Sequence, residues 1–251
     1  MQHHATLITV LTIVGVMLLT VVVLIVSTRR NLPRIMSAQT AFFTETGYRH
    51  PEIPGAPIEE QVKFVPKRGN VMAMALEKKY VKPDAAGPIA FESSSRSEGR
   101  NRVQRESWRM TLPRPPAIRF QIAERSLLPS VGKAIGQHLT GRTRSWSQHY
   151  PTNVEIDDAA IAKRFAVFGE DPDAVRAVLA QAAIRERLLD CAEVDLVVDG
   201  GSILLSDPNG KNLAAGRTQR RGLDPSPTIR ASIPVHRKIH AMLGAVRDAI
   251  A

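Results

Sequence analysis

The chain of 251 residues holds one cysteine, Cys191, so no internal disulfide can brace it, which suits a reducing compartment. Aromatic residues make up only 5%. They are not interleaved with arginines as in a base-stacking sheet, which counts against nucleic acid as a partner. The sequence has no Walker A pattern, no G-x-G-x-x-G behind a strand, no G-x-S-x-G elbow and no kinase signature. The usual routes to nucleotide, dinucleotide and acyl-transfer chemistry are therefore closed. No cofactor is expected, and the chain reads as a non-enzyme. Charge is also missing from one long stretch, since every Lys, Arg, Asp and Glu lies at or after Arg29.

That uncharged stretch contains an unbroken apolar run from Ala5 to Val26, ATLITVLTIVGVMLLTVVVLIV. As a helix it would be about 33 Å long, enough to cross a hydrocarbon core of about 30 Å. A helix suits lipid because it satisfies its own backbone, and the hydroxyls of Thr6, Thr9, Thr12 and Thr20 can bond back to the preceding turn. A secretory signal would have a positive start, a shorter apolar core and a small-residue cleavage site. Here the start is Met1-Gln2-His3-His4 and no A-x-A follows. A buried globular helix would show a polar stripe, and the run has none. The reading is an uncleaved, single-pass anchor held in the bilayer through Ala5 to Val26. Arg29, Arg30 and Arg34 follow the run and no Lys or Arg precedes it. The positive-inside rule then puts the C-terminal domain on the cytoplasmic face of a bacterial inner membrane. His3 and His4 carry too little charge at neutral pH to reverse this.

The formal net charge is +10, all of it beyond the anchor. Such a surface is drawn to anionic lipid headgroups and to nucleic acid, and it also fits a plain solvated surface. The sequence divides into the anchor (1–27), a juxtamembrane helix with a Pro-rich linker (28–60), and an α+β domain (61–251) with a sub-boundary near 140–153.

Along the chain, Leu32 to Glu45 carries Ile35, Ala38, Phe42 and Phe43 at helical spacing. A break is expected at Pro33 and a stop at Gly47. A loop with Pro51, Pro54, Gly55 and Pro57 follows. Short strands are read at Val62–Val65 and Val71–Leu76 around a turn, although VMAMALEKKY also suits a helix. Pro83 to Arg105 reads as a polar loop or hairpin tip. Alternation predicts strands at Glu106–Leu112 and Ala117–Ala123, paired across Pro113-Arg114-Pro115-Pro116. Ser126–Leu139 is mixed, and Thr140–Tyr150 is a basic loop. A strand at Lys163–Phe168 precedes Asp171-Pro172, a cap and first helical residue, and the helix runs to about Ala192. Val194–Val198, Asp199-Gly200-Gly201 and Ser202–Leu205 form a hairpin signal. Pro208-Asn209-Gly210 and Arg217–Pro227 read as loops. Pro234–Ile250 is an amphipathic helix with Val235, Ile239, Met242, Leu243, Val246 and Ile250 on its apolar stripe. The fold class is α+β: an N-terminal membrane helix, then antiparallel strands with packed helices and a final amphipathic helix.

The segment from Ile156 onward, I-D-D…K-R-F-A-V-F-G-E-D-P-D-A-V-R-A-V-L…R-E-R-L-L, resembles a loosely defined group of bacterial membrane-anchored proteins of unknown function. The resemblance rests on Asp157, Asp158, Phe165, Val167, Gly169, Asp171, Pro172, Val175, Arg176, Leu179, Leu188 and Leu189. It covers about fifty residues closely and reaches weakly back to Phe42–Val65. Typical members carry a Phe soon after the acidic residue, where this chain has Ala159-Ala160-Ile161. The resemblance implies an anchored strand–turn–helix unit and supplies no active site.

Few residues suggest chemistry. His236 and His240 are spaced to share a metal, but the stripe through Val235, Ile239 and Leu243 puts them on the wetter side beside Arg237 and Lys238, and no third ligand is in sight. Asp157-Asp158 reads as a lead-in or cap, because neighbours on a strand or helix do not converge. Asp207 opens a turn without the other ligands of a calcium loop. Cys191 lacks the His and carboxylate setting of a nucleophile. The basic clusters are Arg96, Arg100, Arg102, Arg105 and Arg109, then Arg142 and Arg144, then Arg217, Arg220 and Arg221. Trp146 beside the second cluster fits an interface or a satellite core. Arg29, Arg30, Arg34, Arg142 and Arg144 are the candidates for contact with anionic lipid. The sequence thus predicts an interaction or scaffolding module at the cytoplasmic face, with an unidentified protein partner. Two rivals stand: a secretion-type or pilus-type envelope-assembly component with a periplasmic domain, and an enzyme whose site carries no known motif.

Overall fold

A computed structural model describes residues 2–49, 59–66, 72–84, 87–98, 101–128, 149–191, 194–207 and 224–251, with side chains described from position 12 onward except at 28, 59–66, 72–78, 95–98 and 101–104. The first element is one long helix, α1 (Gln2–Thr46). It stops where Gly47 takes φ 77° and donates its N–H to the Phe43 carbonyl, a left-handed end that glycine tolerates without a Cβ clash. The helix bends by 41° between its arms Thr12–Ser27 and Arg29–Thr46. The break expected at Pro33 thus falls one turn earlier, because a proline ring crowds the carbonyl four residues before it, here that of Arg29, and leaves it without a donor. Among the described residues no single helix is long and apolar enough to cross a membrane, but the two arms pass together by length and composition.

Eight strands form one antiparallel sheet among the described residues: β1 (Glu59–Pro66), β2 (Met72–Lys82), β3 (Ile89–Glu98), β4 (Asn101–Thr111), β5 (Phe120–Glu124), β6 (Phe165–Gly169), β7 (Asp195–Asp199) and β8 (Ser202–Asp207). Their spatial order is β1-β2-β3-β4-β8-β7-β5-β6. The α+β class holds. The segment VMAMALEKKY is mostly strand, and of the two readings of Pro83 to Arg105, loop or hairpin tip, the hairpin holds: most of it is β3–β4, with Phe91 opposite Trp108. The Ser-rich half of β3 escapes a hydrophobicity reading because it is fixed by ladders to β2 and β4 on its two sides.

The two strands expected to pair with each other do not. β4 lies between β3 and β8, whereas β5 lies between β6 and β7. Pro113, Pro115 and Pro116 lack backbone donors, so they favour an extended crossing over a tight hairpin turn. The β7–β8 hairpin is as expected, with Gly200 and Gly201 at φ 52° and 87° in a two-residue turn. The edge of β6 is covered: Val154 N–H bonds Val167 O at 2.8 Å and Gly169 N–H bonds Thr152 O at 3.0 Å.

Four further α-helices are described: α2 (Ala159–Arg164), α3 (Pro172–Leu179), α4 (Ala182–Asp190) and α5 (Ser226–Ile250). The single helix expected after Asp171 is two. Leu179 and Ile184 are both buried but five residues apart, which would put them on different faces of a continuous helix; the break at Ala180-Gln181 turns both inward. Helix α5 starts two turns before Pro234 and carries it internally. Arg164 bonds the carbonyls of Leu189 and Cys191 at the end of α4 and pairs with Glu124 at 3.3 Å. The sub-boundary near 140–153, Thr140–Tyr150 and the loop from Pro208 lie largely outside the described residues.

The core lies between one sheet face and the helices. Strands supply Phe91, Trp108, Phe120, Ile122, Phe165, Leu196 and Leu205; helices supply Phe42, Val175, Leu188, Ile239, Met242 and Leu243, all buried. Each such side chain contributes about 1.5–3 kcal/mol relative to exposure. The second arm of α1 belongs to this core, since Ala38 and Phe42 are buried with it. The first arm does not: from Ile13 to Val26 its large apolar side chains are 46–66% exposed.

The caps give a test of local assignment. Asp171 accepts from the N–H groups of Asp173 and Ala174, both at 3.1 Å, at the start of α3. Asp171→Ala should cost about 1 kcal/mol in urea unfolding. Asp157→Ala, at an exposed position without a cap role, should stay within about 0.5 kcal/mol.

Candidate functional site

Two features lie end to end on α1, a basic collar just after the apolar arm and a buried joint where the second arm meets α5. The collar is local in sequence. Arg29, Arg30 and Arg34 are exposed on consecutive turns. Ser27, Asn31 and Arg34 help line an open hollow of about 470 Å³ that straddles the bend.

The joint is built from distant segments. Arg230 on α5 donates to Ser37 Oγ at 3.2 Å, Arg237 pairs with Glu45 at 2.5 Å, and Tyr48 Oη meets His240 Nε2 at 2.9 Å. Partner numbers rise together along both helices, so α1 and α5 run parallel. At the centre His236 is only 1% exposed. Its ring is set steeply against Phe91 (4.7 Å, 90°), Phe42 (5.1 Å, 80°) and Tyr48 (5.4 Å, 83°), edge-to-face geometries that suit aromatic quadrupoles. Trp108 Nε1 donates to His236 Nδ1 at 3.0 Å. An indole nitrogen can only donate, so Nδ1 must accept and the imidazole carries its proton on Nε2, in the neutral form.

This corrects the expected placement of the two histidines. His236 is in the core and His240 is half-buried, because His236 lies one turn from both Ile233 and Ile239, His240 lies one turn from His236 and Leu243, and the stripe is wide enough to include them. The signal was present: His236 falls three before Ile239 and three after Ile233. The aromatic partners Tyr48, Tyr80 and Phe91 carried no such signal, since strand pairing and chain reversal bring them together. Burial raises the Tyr48 hydroxyl well above its ordinary range. Burial, then the Lys82 ammonium, pushes His240 down to about 4, with Asp84 opposing. A tyrosine that keeps its proton beside a histidine that stays neutral makes a hydrogen-bonded lock between helices rather than a proton donor and acceptor poised for exchange.

The other singled-out residues scatter. Asp158 caps α2, accepting from Ala160 and Ile161 N–H, and bonds Arg185, which holds its carboxyl below the usual range. Beside it lies a hollow of about 310 Å³ with Arg176 at its mouth, but Arg176 is held by Glu155 O and Asp173. Cys191 is buried at the end of α4, and burial pushes its thiol up to about 11, the opposite of an activated thiolate. Asp207 ends β8, buried and opposite Glu106, rather than opening an exposed turn. Arg105 and Arg109 are exposed on β4, and Arg109 donates to Ser202 Oγ. Arg142, Arg144, Trp146, Arg217, Arg220 and Arg221 lie outside the described residues, as do the side chains of Arg96 and Arg102. Among the described residues no three His, Cys, Asp or Glu side chains gather as a metal set. Comparison with protein-family models, curated proteins and solved structures found no match to this chain.

The joint has a pH signature. With His240 at about 4 folded against 6.5 ordinarily, the unfolded chain takes up a proton in that interval that the folded chain refuses. Stability should be complete above about pH 6.5 and fall as pH drops towards 4, by up to about 3 kcal/mol. His240→Gln should flatten this slope, read as the difference in melting midpoint between acid and neutral buffer. An unchanged slope would assign it to other groups.

Proposed function

We propose that this chain is a single-pass membrane protein of the bacterial inner membrane, anchored through Ala5 to Val26, whose α+β domain is a non-enzymatic interaction or scaffolding module at the cytoplasmic face. The observation that carries the reading is the exposure of Ile13 to Val26 on every side of a helix whose second arm is built into the domain core. In water so large an unbroken apolar surface is strongly unfavourable, and a lipid environment removes that cost. The arginines that follow at once supply the cytoplasmic bias. The rest of the domain supports a binding role through its eight-stranded sheet and docked helices, while polar groups such as Asp158, Asp171 and Arg164 serve as caps and clamps.

Removal of residues 2–27 should release the protein from the membrane fraction, whereas the full chain should resist carbonate extraction. A compartment-specific reporter fused after Ala251 should signal from the cytoplasm. A periplasmic signal would overturn the topology and favour the envelope-assembly reading. Extraction of the full chain by carbonate would overturn the anchor itself.

A further inference from the structure

The hollow at the bend of α1 joins two chemistries on one helix face. Val22, Val26, Arg30 and Arg34 form an i, i+4 row that changes from apolar to cationic as it crosses the bend. Val23, Ser27 and Asn31 form the neighbouring row, with Asn31 Nδ2 donating to Ser27 Oγ at 3.4 Å. The hollow therefore has a hydrocarbon half, a narrow band of neutral hydrogen-bonding groups, and a half with two guanidiniums. Arg30 and Arg34 are about 6 Å apart along the helix axis, close enough to share one phosphate.

Among the described residues charge on this face is uncompensated. No Asp or Glu occurs before Glu45, and Glu45 is engaged by Arg237. Among the described residues neither Arg30 nor Arg34 has an acidic partner, while several arginines of the domain do: Arg164 with Glu124, Arg176 with Asp173, Arg185 with Asp158. A free anion would satisfy the arginines and leave the valines in water. A nucleic acid would do the same, with no aromatic side chain on the face to stack a base. One molecule fits both halves, an amphiphile with an acyl chain and a phosphodiester.

Resting on the membrane reading above, we propose that this hollow is a binding site for an anionic phospholipid, its acyl chain along Val22, Val23 and Val26 and its phosphate held between Arg30 and Arg34. Ser27 and Asn31 lie at the level of the glycerol and headgroup hydroxyls. Arg29 falls off this row and serves only the general attraction of the leaflet.

The test uses full-length protein in a neutral maltoside detergent, with phosphatidylglycerol, phosphatidylcholine or inorganic phosphate added. Native mass spectrometry reads retained lipid and a thermal scan reads the melting midpoint. Phosphatidylglycerol should be retained at least tenfold better than phosphatidylcholine and should alone raise the midpoint. R30Q/R34Q should bring the two lipids to parity, since Gln keeps helix propensity and removes the charge. R105Q/R114Q, which removes two exposed charges of the domain, should keep the preference. Equal retention of both lipids, or a preference that survives R30Q/R34Q, would overturn the site. A midpoint shift reproduced by inorganic phosphate would make it a phosphate site and overturn the lipid assignment. These failures leave the anchor standing, because carbonate extraction tests it independently.

Discussion

The structure depends on one helix having to satisfy two surroundings. The first arm of α1 presents apolar side chains all round, and the second presents Ala38 and Phe42 to the core while leaving Arg34 and Glu45 at the surface. Helical hydrogen bonding continues between them, so the domain is not hung on a slack tether. Pro33 supplies the one soft point, where the lost bond to the Arg29 carbonyl allows the 41° change of direction. What fixes the domain relative to the first arm then passes through the contacts of the second arm and its end with α5 and with Tyr80 and Phe91 of the sheet.

That contact is made specific by a polar group in an apolar place. A buried imidazole costs several kcal/mol if its nitrogens go unsatisfied, and it is tolerated here because Trp108 donates to Nδ1 and four aromatic rings enclose it. Apolar packing alone would allow α1 to slide along α5 by a turn. The Tyr48–His240 bond and the Glu45–Arg237 pair at the surface each demand a single register of α1 on α5, and the Trp108–His236 bond fixes α5 on the sheet. The parallel arrangement of two helices whose dipoles do not oppose each other gives no stability of its own, so the register rests on these side chains and on the sheet beneath them.

What could be read from the sequence was what is local. Gly47 ends α1, Asp171-Pro172 opens α3, and Gly200-Gly201 turns the β7–β8 hairpin, each by backbone geometry that few residues can adopt. The collar of Arg29, Arg30 and Arg34 was legible for the same reason. What was missed is set by pairing at long range. The Ser-rich half of β3 has no apolar alternation to betray it, and its register comes from β2 and β4. Pro113-Arg114-Pro115-Pro116 looked like a hairpin loop, yet it separates strands with β8 and β7 between them. The Tyr48–His240 bond joins residues 192 apart in sequence, beyond any spacing rule.

The bend and the docked arm together bound where the domain can lie if the first arm stands along the bilayer normal. From Arg29 to Thr46 the second arm is about 27 Å long, and a lean of 41° reduces its depth to about 20 Å. The His236 joint, between Phe42 and Tyr48, then sits about 15–20 Å from the headgroups, about two Debye lengths at physiological salt, so membrane charge is largely screened there. Arg30 and Arg34 sit within the first 8 Å, where it is not. Because α1 and α5 are parallel, the N-terminal end of α5 with Arg230 points back towards the same surface, and its positive dipole end adds to the collar. In that orientation the described charges nearest a bilayer would be those at one end of the docked helix pair, while the sheet face with Tyr150, Phe168 and Val197 lies on the opposite side of the sheet from α1 and α5.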